Sequence, residues 1–197
     1  MSRPGSITAR LCGVIRVRRE EFLELRGRAE VAPVAARIPV AFERVTAENV
    51  ARAGDFREAR LAKAFRRYLR EGQEGIFAVA DGRVVGHAWA VICRGGRCLA
   101  NGYIELARGE AALHSISVAE SHRGRRVFQA MVAAFCTRLF DEANVGRIVS
   151  TVELDNPASR RGHMNIGFRS VGRQLCVMFR RWLLFRKKLG QEAGEDD

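Results

Sequence analysis

The sequence predicts an α/β fold of the α+β type: a mixed, mostly antiparallel central sheet with helices on both faces. Three observations predict it. Strand-like segments outnumber helix-like ones along the 197 residues. Turn signals such as Asp81-Gly82 and Arg94-Gly95-Gly96-Arg97 join neighbouring strands directly, which favours antiparallel pairs. One strand–helix–strand unit, around residues 111–153, is strong, so a parallel pair enters the sheet there.

The elements follow in order. "RIPVAFERV", residues 37–45, reads as a strand. Thr46 is placed to cap a short helix, with Glu48 near its positive end. A second helix is expected from Asp55. Leu61, Phe65, Tyr68 and Leu69 share one face of it, and Gly72 stops it. Residues 75–98 read as a hairpin through Asp81-Gly82, and the second turn leads into "CLANGYIEL". "AALHSISV" is a strand. The helix after it places Phe128, Met131, Val132, Phe135 and Leu139 on one face. "GRIVSTVEL" is another strand, "NPASRRGHMNIG" a short helix or turn, and "FRSVGRQLCVMFRRWLLF" a strand pair or a strand plus helix. The polar tail "GQEAGEDD" reads as disordered.

The domain expectation is an extension over 1–38, packed on or preceding the core, one catalytic-type domain over 39–190 and an acidic tail over 191–197. A chain of this length buries a core without staples. It has no apolar run long enough for a transmembrane helix, and its first twenty residues lack a signal-peptide pattern. Five cysteines at unrelated spacings argue for a reduced, cytoplasmic protein. The formal net charge of +12 implies an anionic partner: nucleic acid, a membrane surface or a phosphorylated small molecule. A solvated, arginine-rich surface is the alternative for most of that charge.

The sharpest local feature is "SHRGRRVFQAMV", residues 121–132. A helix start exposes unpaired N–H groups at the positive end of a dipole. Gly124 permits close backbone approach. Arg123, Arg125 and Arg126 add charge and bidentate recognition of phosphate. Arginines at a helix N-terminus oppose the dipole, so an ordinary basic helix start is the less comfortable reading. Neither a Walker motif nor G-x-G-x-x-G is present.

The segment from Leu113 to Phe168 resembles the core of the GNAT superfamily of acetyl-CoA-dependent N-acetyltransferases. "ISVAESHRGRRVFQAMV" is similar to the family's strand, loop and helix carrying Q/R-x-x-G-x-G/A. "VELDNPASRRGHMNIGFRSVG" is similar to its later strand, Asn-containing turn, helix and Gly-Phe strand. The resemblance spans about residues 39–180. Phe128 and the long hairpin also resemble bacterial members linked to glycan or exopolysaccharide genes. Two positions depart from the motif. Arg126 stands where a glycine is usual, and Phe128 where a second glycine or alanine is usual. A non-glycine residue at helical φ still donates its N–H, and Phe128 either narrows the phosphate site or packs inward.

The resemblance implies direct transfer from acetyl-CoA, as cosubstrate and with no metal, to a small amine such as an amino sugar. Ile116 and Val118 would contact the pantetheine arm through the backbone, with an oxyanion contact near Ile116. Amides of Arg123, Gly124, Arg125, Arg126, Val127 and Phe128 would hold the pyrophosphate, and Asn156 matches the family's asparagine. His114 and Glu153 are the candidate bases. His163, four residues before Gly167, stands where the family often has a tyrosine acid. For each of these three a structural or surface role is the alternative. Tyr103, Glu105 and Glu110 fall where acceptors often bind.

Other chemistries find no support. There is no CxxC, HExxH or G-x-S-x-G, and Cys136 reads as a packed residue; Cys93 and Cys98 flank "RGGR", which places them to face each other across a hairpin. A non-catalytic basic module, either a coenzyme A sensor or a binder of nucleic acid or anionic surfaces, is the competing class. Nucleic acid is the weaker of these, because the phenylalanines fall at core-like spacings. Residues 179–190, "FRRWLLFRKKLG", combine aromatics with cations. They suit weak contact with an anionic membrane surface, or a terminal strand with a basic outer face.

Overall fold

A computed structural model describes residues 15–56, 60–179 and 182–189. The strands are β1 (Ile15–Leu25), β2 (Ala41–Arg44), β3 (Glu74–Ala80), β4 (Arg83–Ile92), β5 (Arg97–Ala100), β6 (Ile104–Ala107), β7 (Glu110–Val118), β8 (Arg147–Glu153), β9 (Arg169–Phe179) and β10 (Trp182–Leu189). The helices are α1 (Arg60–Arg70), α2 (Val127–Ala143) and α3 (Pro157–Met164). Eight strands form one sheet in the order β10-β9-β1-β8-β7-β4-β3-β2, and β5 pairs with β6 separately. Only β7 and β8 pair in parallel; the other neighbours in the large sheet are antiparallel.

Local chemistry explains the hairpins. Asp81 and Gly82 both take positive φ, 48° and 72°, as a type I′ turn requires. Asn101 and Gly102 do the same at 52° and 81°, so "CLANGYIEL" folds back on itself as β5 and β6. The helix expected from Asp55 begins at Arg60 among the described residues, and Val50–Asp55 is a 3-10 turn. Thr46 does not cap that turn; its backbone N–H donates to Asn49 Oδ1 at 2.8 Å. The expected strand at 37–45 is reduced to Ala41–Arg44.

Helices cover both faces. Phe65 of α1 packs on Phe77 and Trp89 on one side. The β5–β6 hairpin continues that layer, with Tyr103, Ile104 and Leu106 on Ala112, Val149, Cys176 and Met178. On the other side Met131, Val132, Phe135 and Leu139 of α2 pack on Ile76, Ala88, Leu113 and Ile148. Cys136 is fully buried in that layer, which pushes its thiol pKa up.

No element was expected at residues 15–25, yet β1 lies inside the sheet between β9 and β8. Its adjacent Glu20 and Glu21 are both buried. Each accepts a hydrogen bond from a distant part of the chain. Tyr103 Oη donates to Glu20 at 2.6 Å. Arg160 Nε and Ser170 Oγ donate to Glu21 at 2.6 and 2.7 Å. The second set ties β1 to α3 and β9. The closing segment is a strand pair, β9–β10. The tail beyond Leu189, the first fourteen residues, and Arg180 and Arg181 of the basic cluster lie outside the described residues.

The feature that positions the site is a split in the sheet. β7 and β8 pair only at Glu110–Arg147, Ala111–Ile148 and Ala112–Val149. Beyond these pairs the strands part, leaving the facing edge of β7 without a strand partner. A bulge on β7 marks the opening: His87 pairs with Ser117 and Trp89 with His114, and Ser115 has φ 47°.

Candidate active site

The sequence places a strand, a basic loop and a helix in succession, and they enclose a cavity of about 570 Å³ on the α2 side of the split. Ile116, Val118, Arg123, Gly124, Arg126, Val127, Phe128 and Asn156 all line it. Arg125 does not: it is exposed, and its carbonyl accepts the Arg37 N–H at 2.8 Å. His122, Gln129, Ser159 and Gly162 also line the cavity and were not read from the sequence.

The start of α2 leaves backbone N–H groups open toward the cavity. Arg126 is its N-cap residue, and the Arg126 carbonyl accepts the first helical bond from Ala130 N–H at 3.0 Å. No side chain caps the helix, so the N–H groups of Val127, Phe128 and Gln129 have no helical acceptor. Gly124 has φ 74°. Arg126 has φ 59° and ψ 14°, the left-handed region, not the right-handed helical φ expected for it. This is the physical reason a glycine suits that position.

Phe128 is half-buried and packs inward. Its ring meets His163 edge-on at 5.3 Å. A Cβ at Gly162 would lie 2.8 Å from Phe128 Cε1, so Gly162 makes room for the ring. Asn156 caps α3 by accepting Ser159 N–H at 3.1 Å. Gly167 after α3 has φ 113°, and a Cβ there would collide with the Glu30 carbonyl.

On the opposite side of the split is a cleft of about 630 Å³. His114, Glu153 and His163 line it, so the structure brings the three candidate proton carriers to one place. Ile116, Asn156 and Ser159 line both spaces, which therefore meet at the opening of the sheet. Strand alternation does not hold from His114 to Ile116 because the bulge intervenes, yet both reach the cleft.

The environments of the three differ. Gln73 Nε2 donates to Glu71 at 2.8 Å, which turns Gln73 Oε1 toward His114 Nε2 at 2.7 Å. His114 then donates from Nε2 and keeps a lone pair on Nδ1, 3.2 Å from Ser115 Oγ. Burial, with a smaller contribution from nearby His87, pushes the His114 pKa down to about 4, so it is neutral at pH 7. His163 is buried, with its pKa lowered by burial. Its Nδ1 faces the Ser159 carbonyl at 2.9 Å and must donate there. Its Nε2 therefore accepts from Ser150 Oγ at 3.0 Å. Glu153 is 53 % exposed and pairs with Arg18 at 3.4 Å.

Tyr103 lines the cleft, bonded to buried Glu20, whose pKa is raised chiefly by burial. Arg18 Nε lies 3.0 Å from the other Glu20 oxygen, an ionic contact without hydrogen-bond alignment. Glu110 instead binds Arg147 and the Ala107 N–H, and Glu105 is exposed. Nothing local in the sequence points to Glu20; its role arises from the sheet order. Among the described residues no cluster of His, Cys, Asp and Glu is arranged to hold a metal ion.

The sequence model of the Acetyltransferase (GNAT) family matches residues 42–168. The chain belongs to this family. No curated protein sequence matches it. Its fold is similar to a GCN5-related N-acetyltransferase from Kribbella flavida, with a TM-score of 0.56 at 11% identity over 85% of this chain and 60% of that one. It is similar to the glucosamine N-acetyltransferase region of a fungal multi-domain GH3 β-N-acetylglucosaminidase, with a TM-score of 0.59 at 15% identity over 84% of this chain and 21% of that one. It is also similar to AAC(6')-Iy in complex with the bisubstrate analog CoA-S-monomethyl-acetylneamine, with a TM-score of 0.53 at 19% identity over 66% and 91%. The chain spans 60% and 21% of the first two of these neighbours, and 63%, 65% and 56% of three further structures of similar fold.

Proposed function

We propose that the protein transfers an acetyl group from acetyl-CoA to a small primary amine by direct attack. The observation that supports this most is the split between β7 and β8, where a phosphate-suited cavity and an acceptor cleft meet at Ile116 and Asn156. The open edge of β7 offers backbone groups to an extended pantetheine arm. The N-terminus of α2, with Arg123 and Arg126, offers amides and cations to a pyrophosphate. Arg125 stands outside the cavity wall and contributes only long-range charge.

In this reading an amine nitrogen in the cleft attacks the thioester carbonyl carbon. A β7 amide near Ile116 receives the developing oxyanion; the C–S bond then breaks, and the coenzyme thiolate leaves and takes up the surplus proton of the attacking nitrogen, directly or through water, to give free thiol and amide. His114 Nδ1 or Glu153 takes the ammonium proton, directly or through water. Neutral His163 carries its one proton on Nδ1 toward a main-chain carbonyl, so it holds Ser150 in place and does not protonate the thiolate. Incubation with acetyl-CoA and a mixture of small amines, read by mass spectrometry, tests the reading. Acetylated amine with stoichiometric release of free thiol supports it. Absence of product across the mixture, with folded protein, overturns it and leaves the non-catalytic module.

A weak, salt-sensitive attraction to anionic membrane surfaces is proposed for the outer strands. Phe179, Leu184 and Phe185 are exposed beside Arg186, Lys187 and Lys188 at the sheet edge, while half-buried Leu183 packs against the core. No helix among the described residues is long and apolar enough to cross a membrane.

A further inference from the structure

The acceptor cleft has a charge pattern that an unadorned amine does not fit. Three arginines line it, Arg16 and Arg18 from β1 and Arg67 from α1, against one lining carboxylate, Glu153. Its histidines, His114 and His163, add no negative charge and are neutral by burial. Arg18 is committed, at 3.0 Å to Glu20 and 3.4 Å to Glu153. Arg16 is not, and Arg67 is held only loosely. Arg16 is exposed and has no ion-pair partner among the described residues. Arg67 is 59% exposed, touches only Glu71 at a long 3.6 Å, and lies over the Tyr68 ring at 5.3 Å. They stand on different elements that flank the opening of the sheet.

With Arg18 held by Glu20 and Glu153, an entering molecule meets the guanidinium of Arg16 and that of Arg67, which is only loosely paired with Glu71. A molecule carrying an anion beside its amine is drawn in, because guanidinium groups grip phosphate and carboxylate through paired N–H bonds. The same cations lower the pKa of an ammonium held near them, which favours the neutral amine that attack requires. We infer that the acceptor is an amine bearing a phosphate or carboxylate, and that Arg16 and Arg67 hold that anionic group at the mouth of the cleft. This rests on the acetyltransferase reading and narrows its substrate class.

Matched probes decide it. Glucosamine against glucosamine 6-phosphate, and alaninamide against alanine, are titrated calorimetrically into the full chain, with and without saturating coenzyme A. The expected result is that at least one anionic probe binds about tenfold or more tightly than its neutral twin, with the advantage shrinking at about 0.5 M salt. Which pair shows it separates phosphate from carboxylate. Arg16→Gln and Arg67→Gln should each cut the advantage severalfold while leaving coenzyme A affinity unchanged. Twins that bind alike, an advantage that survives both substitutions, or inorganic phosphate binding as tightly as the phosphorylated amine would each overturn the inference. Failure to bind coenzyme A with the anion preference intact would instead sink the transferase reading alone.

Discussion

Replacing Arg126 separates backbone strain from phosphate recognition. The residue holds φ 59° at the start of α2, in a region that costs an L-residue about 1–2 kcal/mol. Glycine removes that cost but gains unfolded-state freedom worth about 0.5–1 kcal/mol. Arg126→Gly is therefore expected to match or exceed the parent in stability, by up to about 1 kcal/mol. Arg126→Ala keeps the strain and loses the cation. The useful quantity is the difference between the two variants, from which the lost charge cancels. Glycine should be more stable than alanine by about 1 kcal/mol, or about 2–4 °C in midpoint for a chain of this size. Both should lose coenzyme A affinity alike, by about tenfold for one charge-assisted contact. Thermal and denaturant unfolding without ligand, followed by calorimetric titration, supply the numbers. An alanine variant as stable as glycine refutes the left-handed conformation at 126. Unchanged affinity in both variants places the phosphate away from this residue.

Three further outcomes are expected. Gly162→Ala puts a Cβ 2.8 Å from the Phe128 ring and should cost about 1–3 kcal/mol by overpacking, with Phe128→Leu in the same chain recovering most of it; additive losses in the double variant would contradict the contact. The folded-state pKa of His114 lies near 4, below its ordinary 6.5, so its contribution to stability is complete above about pH 6.5 and declines as pH falls toward 4. His114→Gln should flatten denaturant stability in that window, and a rate that still rises between pH 6 and 8 reports the acceptor ammonium, not His114. Wild-type protein should float weakly with phosphatidylglycerol vesicles at low salt and not at high salt, and Lys187→Glu with Lys188→Glu should abolish flotation in a folded protein; flotation that ignores salt or these charges excludes the electrostatic contact.

The parts of the fold that announce themselves locally are those whose physics is local. Asp81-Gly82 needs no distant partner to make its turn, and the apolar face of α2 is visible at helical spacing. The same Asn-Gly signal at 101–102 was available to split "CLANGYIEL" into β5 and β6. β1 was illegible because its two consecutive buried carboxylates break the apolar alternation. Their partners, Tyr103, Arg160 and Ser170, lie far along the chain. The site divides in the same way. The basic strand–helix junction could be read directly, and most of its residues do line one cavity. What could not be read was direction. Arg125 points its charge outside the cavity wall, Arg126 takes a left-handed φ, and His163 spends both ring nitrogens on α3 and β8. The cationic mouth of the cleft draws on β1 and α1, which meet only through the sheet order.

Hydrogen exchange with and without coenzyme A, read by mass spectrometry at peptide resolution, tests the central claim most directly. The account predicts slowed exchange on adding coenzyme A in two segments, Leu113–Val118 on the open edge of β7 and Arg123–Gln129 at the start of α2. The edge strand β10 should be unaffected. Exchange unchanged in both segments at millimolar coenzyme A, or protection confined to other parts of the sheet, would contradict it.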